Sequence, residues 1–379
     1  MSERAAKKND DDPWPPPARV NPDFVGHAEC EQGLYDAFHS NRLAHAWLIS
    51  GPKGVGKATL AYRFARYVLS QGVEADAPAS MGLFGDEAPD PEPGSLWTDP
   101  NSSVFRRIAS GGHADLMCIE RGLNKQGKPR TEIVIEDVRG IGGFLSLTAA
   151  EGGWRVVVID CADDMNRNAA NAVLKVLEEP PARALLLLIS HNSGRLLPTI
   201  RSRCRKLVVP GLSEPDMIDL LERYVPGLGR EDRDELARLS EGSIGRAVDL
   251  AGAGGLNLYH DVLSLLGTYP KLDIPLLHKL AGNWSKAGAD DTFTTMSDIL
   301  LGILSRFIRA QGSGQGGAML PPSERALYGT LNSATGLDRW LEVWEKITDL
   351  LGRTDVINLD RKQVVLNVFL EIDGAVRSA

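Results

Sequence analysis

Ser50 to Leu60 reads SGPKGVGKATL. Gly51, Gly56 and Lys57 match G-x-x-x-x-G-K, a phosphate-binding pattern that needs a strand before it and a helix after it. Both flanks comply. AHAWLIS, residues 44–50, is a short apolar run that predicts a buried strand, and GKATLAYRFARYVLS, residues 56–70, has helical spacing. In such a loop glycines let successive N–H groups turn toward phosphate oxygens. The amides of the helix N-terminus add to the attraction, and Lys57 would reach the outer phosphates. The candidate nucleotide-binding segment is therefore Gly51, Pro52, Gly54, Val55, Gly56, Lys57, Ala58 and Thr59. The competing reading is a Gly-rich strand–helix turn that holds no ligand.

Two departures from the pattern bear on chemistry. Ala58 stands where a Ser or Thr hydroxyl would hold magnesium. Thr59 is displaced by about 100° around the helix, so it replaces that hydroxyl only if the helix start shifts. A metal would then rest on phosphates, water and a carboxylate. VVVIDCADDMN, residues 156–166, has the form of a strand ending in Asp, which makes Asp160 the candidate magnesium contact. Many P-loop ATPases place a Glu next, to orient the attacking water; here Cys161 follows, and a thiol is a poor base. Asp163 or Asp164 could substitute, but each reads first as a solvated turn residue. The expectation is ATP or ADP as ligand, magnesium weak or absent, and at most weak hydrolysis.

The composition frames this reading. The 379 residues suffice for two or three domains, and 24% charged with 43% hydrophobic residues is ordinary for a globular protein. A net charge of −8 argues against a wholesale electrostatic grip on nucleic acid. Cys30, Cys118, Cys161 and Cys204 lie far apart without a CxxC pair, which speaks against zinc and against a disulfide framework. Reduced thiols fit a cytoplasmic protein. No signal peptide and no membrane span is read.

Organisation follows from the periodicities. Residues 1–22 form a charged, Pro-rich tail expected to be disordered or extended, and 74–103 an acidic, Pro-rich insertion. Between them and Pro210, short apolar runs (ADLMCIE, RVVVID, ALLLLIS, RKLVV) alternate with helical patterns (AECEQGLYDAFHS, IEDVRGIGGFLSLT, NAANAVLKVLEE). Such alternation predicts a parallel sheet covered on both faces. After Pro210 seven segments read as helices, interrupted by Gly-rich pieces at 252–255 and 312–317.

Four stretches are specific in combination: HAWLISGPKGVGKATLA, NAANAVLKVLEEPP, SHNSGRLLPTIRSRC and GSIGRAVDL. Over about residues 24–250 the chain resembles the clamp-loader branch of the AAA+ ATPases. The resemblance implies an α/β AAA+ P-loop domain with a five-stranded parallel sheet at 23–210, a small helical lid at 211–253 and an all-helical, ring-assembling collar at 254–379. It implies a subunit of a five-membered loader that opens a ring-shaped sliding clamp and closes it around primed DNA, with gamma/tau and delta subunits as partners. In that family the motif Ser202-Arg203-Cys204 supplies an arginine finger to a neighbour's ATP. A guanidinium is always charged and presents a rigid fork to phosphate oxygens. Without the resemblance, RSRCRK would read as a solvated basic loop; Arg201 and Arg205 assist or are merely exposed.

Asn192 matches the sensor 1 position, where it would bond a γ-phosphate or its water; otherwise it is a loop residue. Arg246 matches sensor 2, against the alternative of a surface Arg beside a capping turn. Many members of this branch carry zinc-binding cysteines, but none lies between Cys30 and Cys118 here, so zinc is not carried over. The rivals are an autonomous P-loop ATPase, a gamma/tau-type hydrolysing subunit, and a scaffold with no nucleotide role.

Overall fold

The computed structural model describes residues 15–40, 42–71, 94–123, 127, 130–151, 153–286, 290–314, 316–354 and 359–377. Two compact units emerge: 1–224 with 241–245, and 225–240 with 246–379.

In the first unit five strands form one sheet: β1 (Ala46–Ser50), β2 (Leu116–Ile119), β3 (Arg155–Ile159), β4 (Ala184–Ser190) and β5 (Arg205–Val208). Their order is β2-β3-β4-β1-β5, and every pairing is parallel. The helices are α1 (Ala28–His39), α2 (Lys57–Ser70), α3 (Ser103–Ala109), α4 (Ile135–Val138), α5 (Ile141–Ser146), α6 (Arg167–Glu178), α7 (Pro198–Arg203) and α8 (Glu214–Tyr224).

The central strands are apolar except at their ends, at Ser50, Arg155 and Ser190, because both faces of the sheet are covered. Their period of two divides the core. Trp47, Ile49, Val156, Val158, Leu185 and Leu187 pack with Leu34 of α1 and with Leu60, Phe64 and Val68 of α2. Ala46, Leu48, Val157, Ile159, Leu186 and Leu188 pack with Ala169, Val173 and Leu177 of α6. Asn166 caps α6, its Oδ1 accepting from Ala169 N at 3.0 Å, and Pro180 and Pro181 prevent its continuation.

The expected helix over IEDVRGIGGFLSLT is two short ones, α4 and α5, parted at Arg139-Gly140. Of the expected insertion 74–103, residues 74–93 lie outside the described residues, but its end is packed. Leu96 is fully buried, and its N–H donates to Glu31 Oε1 at 2.6 Å. The end of the Pro-rich segment is likewise held. Arg63 Nη1 donates to Pro22 O at 2.7 Å, and Arg66 Nη2 to Asn21 O at 2.8 Å. Two guanidinia of α2 thereby saturate carbonyls that a loose tail would leave to water.

Beyond α8 the described residues are helical: α9 (Arg230–Leu239), α10 (Ile244–Gly252), α11 (Gly255–Leu266), α12 (Ile274–Trp284), α13 (Asp290–Gly312), α14 (Pro322–Ala334), α15 (Leu337–Thr354) and α16 (Arg361–Arg377). In the second unit α13 buries Met296, Ile299, Leu300, Ile303, Leu304 and Phe307, a three-and-four spacing that lines one face. Phe307 meets Trp340 of α15 edge-on, with ring centroids 5.1 Å apart. Arg306 and Glu324 form a buried ion pair that also receives the Tyr259 hydroxyl at 3.1 Å. Among the described residues no helix is long and apolar enough to cross a membrane.

Candidate functional site

The loop from Gly51 to Gly56 joins β1 to α2, as its pattern requires. Gly51 has φ +151°, and a Cβ there would lie 2.1 Å from Val209 O. Only glycine lets the loop pass Val209, just beyond β5, so closely. Gly56 opens α2 at φ +98°. Five successive carbonyls are bonded within the chain. Lys57 Nζ donates to Gly51 O at 2.8 Å and also to Pro52 O. Ser243 Oγ donates to Lys53 O at 2.8 Å, Gly245 N to Gly54 O at 3.0 Å, and His27 Nε2 to Val55 O at 3.0 Å.

Lys57 is 3% exposed. Burial lowers its pKa to about 8, opposed by the nearby carboxylates of Asp160 and Asp163. Ala58 packs its methyl against the apolar cluster of α1 and α2. Thr59, one residue on, is half-buried.

Asp160 follows β3, and its Oδ1 accepts from Cys161 N at 2.9 Å. Cys161 has φ +54°, a left-handed conformation that costs a residue with a Cβ. Its Sγ lies 3.5 Å from His191 Nε2. Burial, reinforced by Asp160, pushes the thiol pKa up to about 12, so no thiolate base forms near neutrality. Burial also lowers the pKa of His191, and the positive charge of Lys57 lowers it further.

Asp163 is more than the solvated turn residue expected. Its two oxygens accept from His191 N at 3.0 Å and Asn192 N at 3.1 Å. The turn after β3 is thereby fastened to the end of β4. Asp164 is half-buried, its Oδ2 3.6 Å from Arg121 Nε. Asn192 is exposed and uses its Oδ1 to accept from Gly194 N at 3.1 Å, capping the 3-10 turn Ser193–Arg195.

The residues present fit a phosphate chain. A planar trans peptide sets each C=O opposite the next N–H. Fastening the carbonyls of Lys53, Gly54 and Val55 therefore turns the N–H groups of Gly54, Val55 and Gly56 the other way. Ser190 Oγ and His191 Nδ1, at the end of the adjacent strand β4, are buried with no hydrogen-bond partner among the described residues. The fit to magnesium is poorer, for Ala58 brings no oxygen. No cluster of three or more His, Cys, Asp or Glu side chains able to hold a metal occurs among the described residues.

Arg203 ends α7, a six-residue helix not read from the sequence. Its Nη1 donates to Thr199 O at 3.0 Å, and its Nη2 lies 2.8 Å from Glu178 Oε1 at the end of α6. The side chain is 36% exposed, so the guanidinium is at the surface of its unit. Arg205 lies on the Trp47 ring at 4.7 Å, while Arg201 is half-buried. Arg246 belongs to the second unit, where its Nη2 reaches Asp298 O at 3.5 Å.

A family model described as DNA polymerase III, delta subunit, matches residues 26–213. The DNA polymerase III subunit delta-prime of Pseudomonas aeruginosa is 35% identical over 261 residues, 69% of this chain and 72% of that one. The chain belongs to the DNA polymerase III delta-prime family. The delta-prime subunit of Escherichia coli is 30% identical over 240 residues, 63% of this chain and 60% of its own. The tau subunit of Bacillus subtilis is 23% identical over 291 residues, 73% of this chain but 46% of tau. The delta-prime match thus combines higher identity with a larger share of the relative's length.

Proposed function

We propose that this chain sets Arg203 against ATP held by a neighbouring subunit, while its own loop holds ATP or ADP without hydrolysing it efficiently. As a member of the delta-prime family, the chain is a clamp-loader component of DNA polymerase III. The observation that carries the proposal is a contrast within the first unit. The chain's own loop lacks a metal-binding hydroxyl at Ala58 and has only a protonated thiol at Cys161. Arg203, by contrast, is a surface guanidinium that needs no proton bookkeeping. An arginine supplied in trans is worth roughly 10³–10⁵ in phosphoryl-transfer rate.

In this reading Gly51–Thr59 binds the phosphates, Lys57 faces the outer ones, and Asp160 is the carboxylate available to a weakly held magnesium ion. Asn192 and Arg246 are the sensor residues. The segments 211–253 and 254–379 serve as lid and collar. The partners are gamma/tau and delta subunits, with the sliding clamp and primed DNA reached through the complex in the cytoplasm.

Reconstitution with the partner subunits tests this. Arg203→Ala should lower DNA-stimulated ATPase and slow clamp loading at least tenfold, with nucleotide binding by the isolated chain unchanged. Unaltered ATPase and loading would leave only a scaffold role. ATP turnover by the isolated chain above ~1 s⁻¹, an ordinary enzyme rate, would favour an autonomous ATPase.

A further inference from the structure

We propose that Ser243 and Gly245 are positioning residues of the phosphate loop, fastening its carbonyls so that its amides are preset for an anion. The proposal rests on the reading that Gly51–Thr59 holds nucleotide phosphates. Residues 241–245 join the first unit although the residues on both sides of them belong to the second. What they meet there is the phosphate loop.

The contact is close and specific. Ser243 is 6% exposed, and its hydroxyl donates to Lys53 O at 2.8 Å. Two residues on, Gly245 N donates to Gly54 O at 3.0 Å. The two backbones approach until a Cβ on Gly245 would stand 3.0 Å from Gly54 Cα, and one on Gly54 2.4 Å from Ser243 Oγ. The segment is itself anchored. Leu212 N donates to Gly242 O at 2.9 Å, and Val209 N donates to Ser50 O at 2.8 Å. A ring of bonds thus runs from β1 through Val209 and Leu212 to Gly242–Gly245 and back to the loop.

The chemistry follows from peptide geometry. A carbonyl held on one side fixes the next N–H on the other. Ser243 and Gly245 fix the Gly54 and Val55 amides, and His27 does the same for Gly56 through Val55 O. A loop free to rotate these peptides would have to order them on binding, and its affinity would fall by the fraction of time it is correctly disposed.

The test uses the full chain, with ADP as probe and hydrogen exchange as a second readout. Ser243→Ala removes the bond to Lys53 O, and a net hydrogen-bond contribution corresponds to roughly a three- to tenfold change. Exchange in peptides spanning 51–57 and 243–248 should quicken by that factor, and ADP should bind more weakly by a similar one. Gly245→Ala should act in the same direction and more strongly; circular dichroism and melting confirm that both variants fold. Unchanged exchange in both variants overturns the proposal. So does faster exchange with undiminished ADP affinity. If the unaltered chain fails to bind ADP, the nucleotide reading falls by itself. Exchange then still decides the fastening: faster in Ser243→Ala supports it, unchanged overturns it.

Discussion

For the proposed role, Arg203 must leave Glu178 before it reaches a phosphate outside its own chain. The pair is 2.8 Å long, with side chains 36% and 50% exposed. Exposed ion pairs contribute about 0.2–1 kcal/mol once solvent and side-chain entropy are counted. That range corresponds to a factor of roughly 1.4 to 5 in the fraction of finger side chains free of Glu178. Glu178→Gln keeps the shape and removes the charge. In the reconstituted loader it should raise DNA-stimulated ATPase, or lower the KM for ATP, by no more than that factor. The Debye length is ~3 Å at 1 M salt against ~8 Å at physiological ionic strength. Raising the salt should therefore shrink the difference between Glu178→Gln and the unaltered protein. The assay is steady-state ATPase at two ionic strengths, with Arg203→Ala in parallel. A rate that falls in Glu178→Gln as far as in Arg203→Ala would refute the reasoning, because Glu178 would then be needed in the reaction. Equal rates at both salts would show that the pair does not compete with the finger.

Two further outcomes follow from the loop and its neighbours. Asp163→Ala removes the acceptors of the His191 and Asn192 amides. At roughly 1.5–3 kcal/mol per bond to a charged group, discounted for partial exposure, the loss should be about 2–3 kcal/mol. Urea midpoints measure it, and a cost below about 0.5 kcal/mol would show that water replaces the carboxylate. The Lys57 effect carries a sign. Its folded pKa is lowered to about 8 by burial, and phosphate favours the ammonium form. ADP affinity should be full below that pH and fall as pH rises through it. Lys57→Arg should flatten the profile, whereas affinity rising with pH would contradict the assignment. The same shift means that the unfolded chain holds more protons than the folded one above about pH 8. Unfolding free energy should therefore climb from there toward the ordinary lysine range.

The sheet was legible because its signal is local. A strand covered on both faces must be apolar at every position, and AWLIS, RVVVI and ALLLLIS are nearly so. The phosphate loop was legible for the same reason, since its spacing is contained in eleven residues. What escaped was either too short or too distant. Six residues, Pro198–Arg203, give too few turns for periodicity to declare a helix. α12 and α14, which are not among the seven segments read as helices, have a Pro in their first turn, a signal that also marks loops. Asp163 finds its amides 28 and 29 residues away, and Ser243 its carbonyl 190 residues away. Nothing in DDMN or GSIG names those partners, because the sheet and the returning segment create them.

The two ends of the proposed division of labour obey opposite physical rules. A group that holds a ligand gains from being fixed, even at an electrostatic cost. Lys57 accepts that cost as a lowered pKa in a buried setting. Ser243, Gly245 and His27 bind its loop from outside. A group offered to another subunit gains from exposure and from a charge no environment can remove. Arg203 has both, at the end of a short helix and, among the described residues, with a carbonyl and a half-exposed carboxylate to release. Cys161 fits neither rule. Burial and neighbouring carboxylates keep it protonated, in the position where a water-orienting base would be wanted. In the proposed reading, a chain with a fastened phosphate loop, a surface arginine and a protonated thiol beside Asp160 is suited to completing hydrolysis next door more than to performing it.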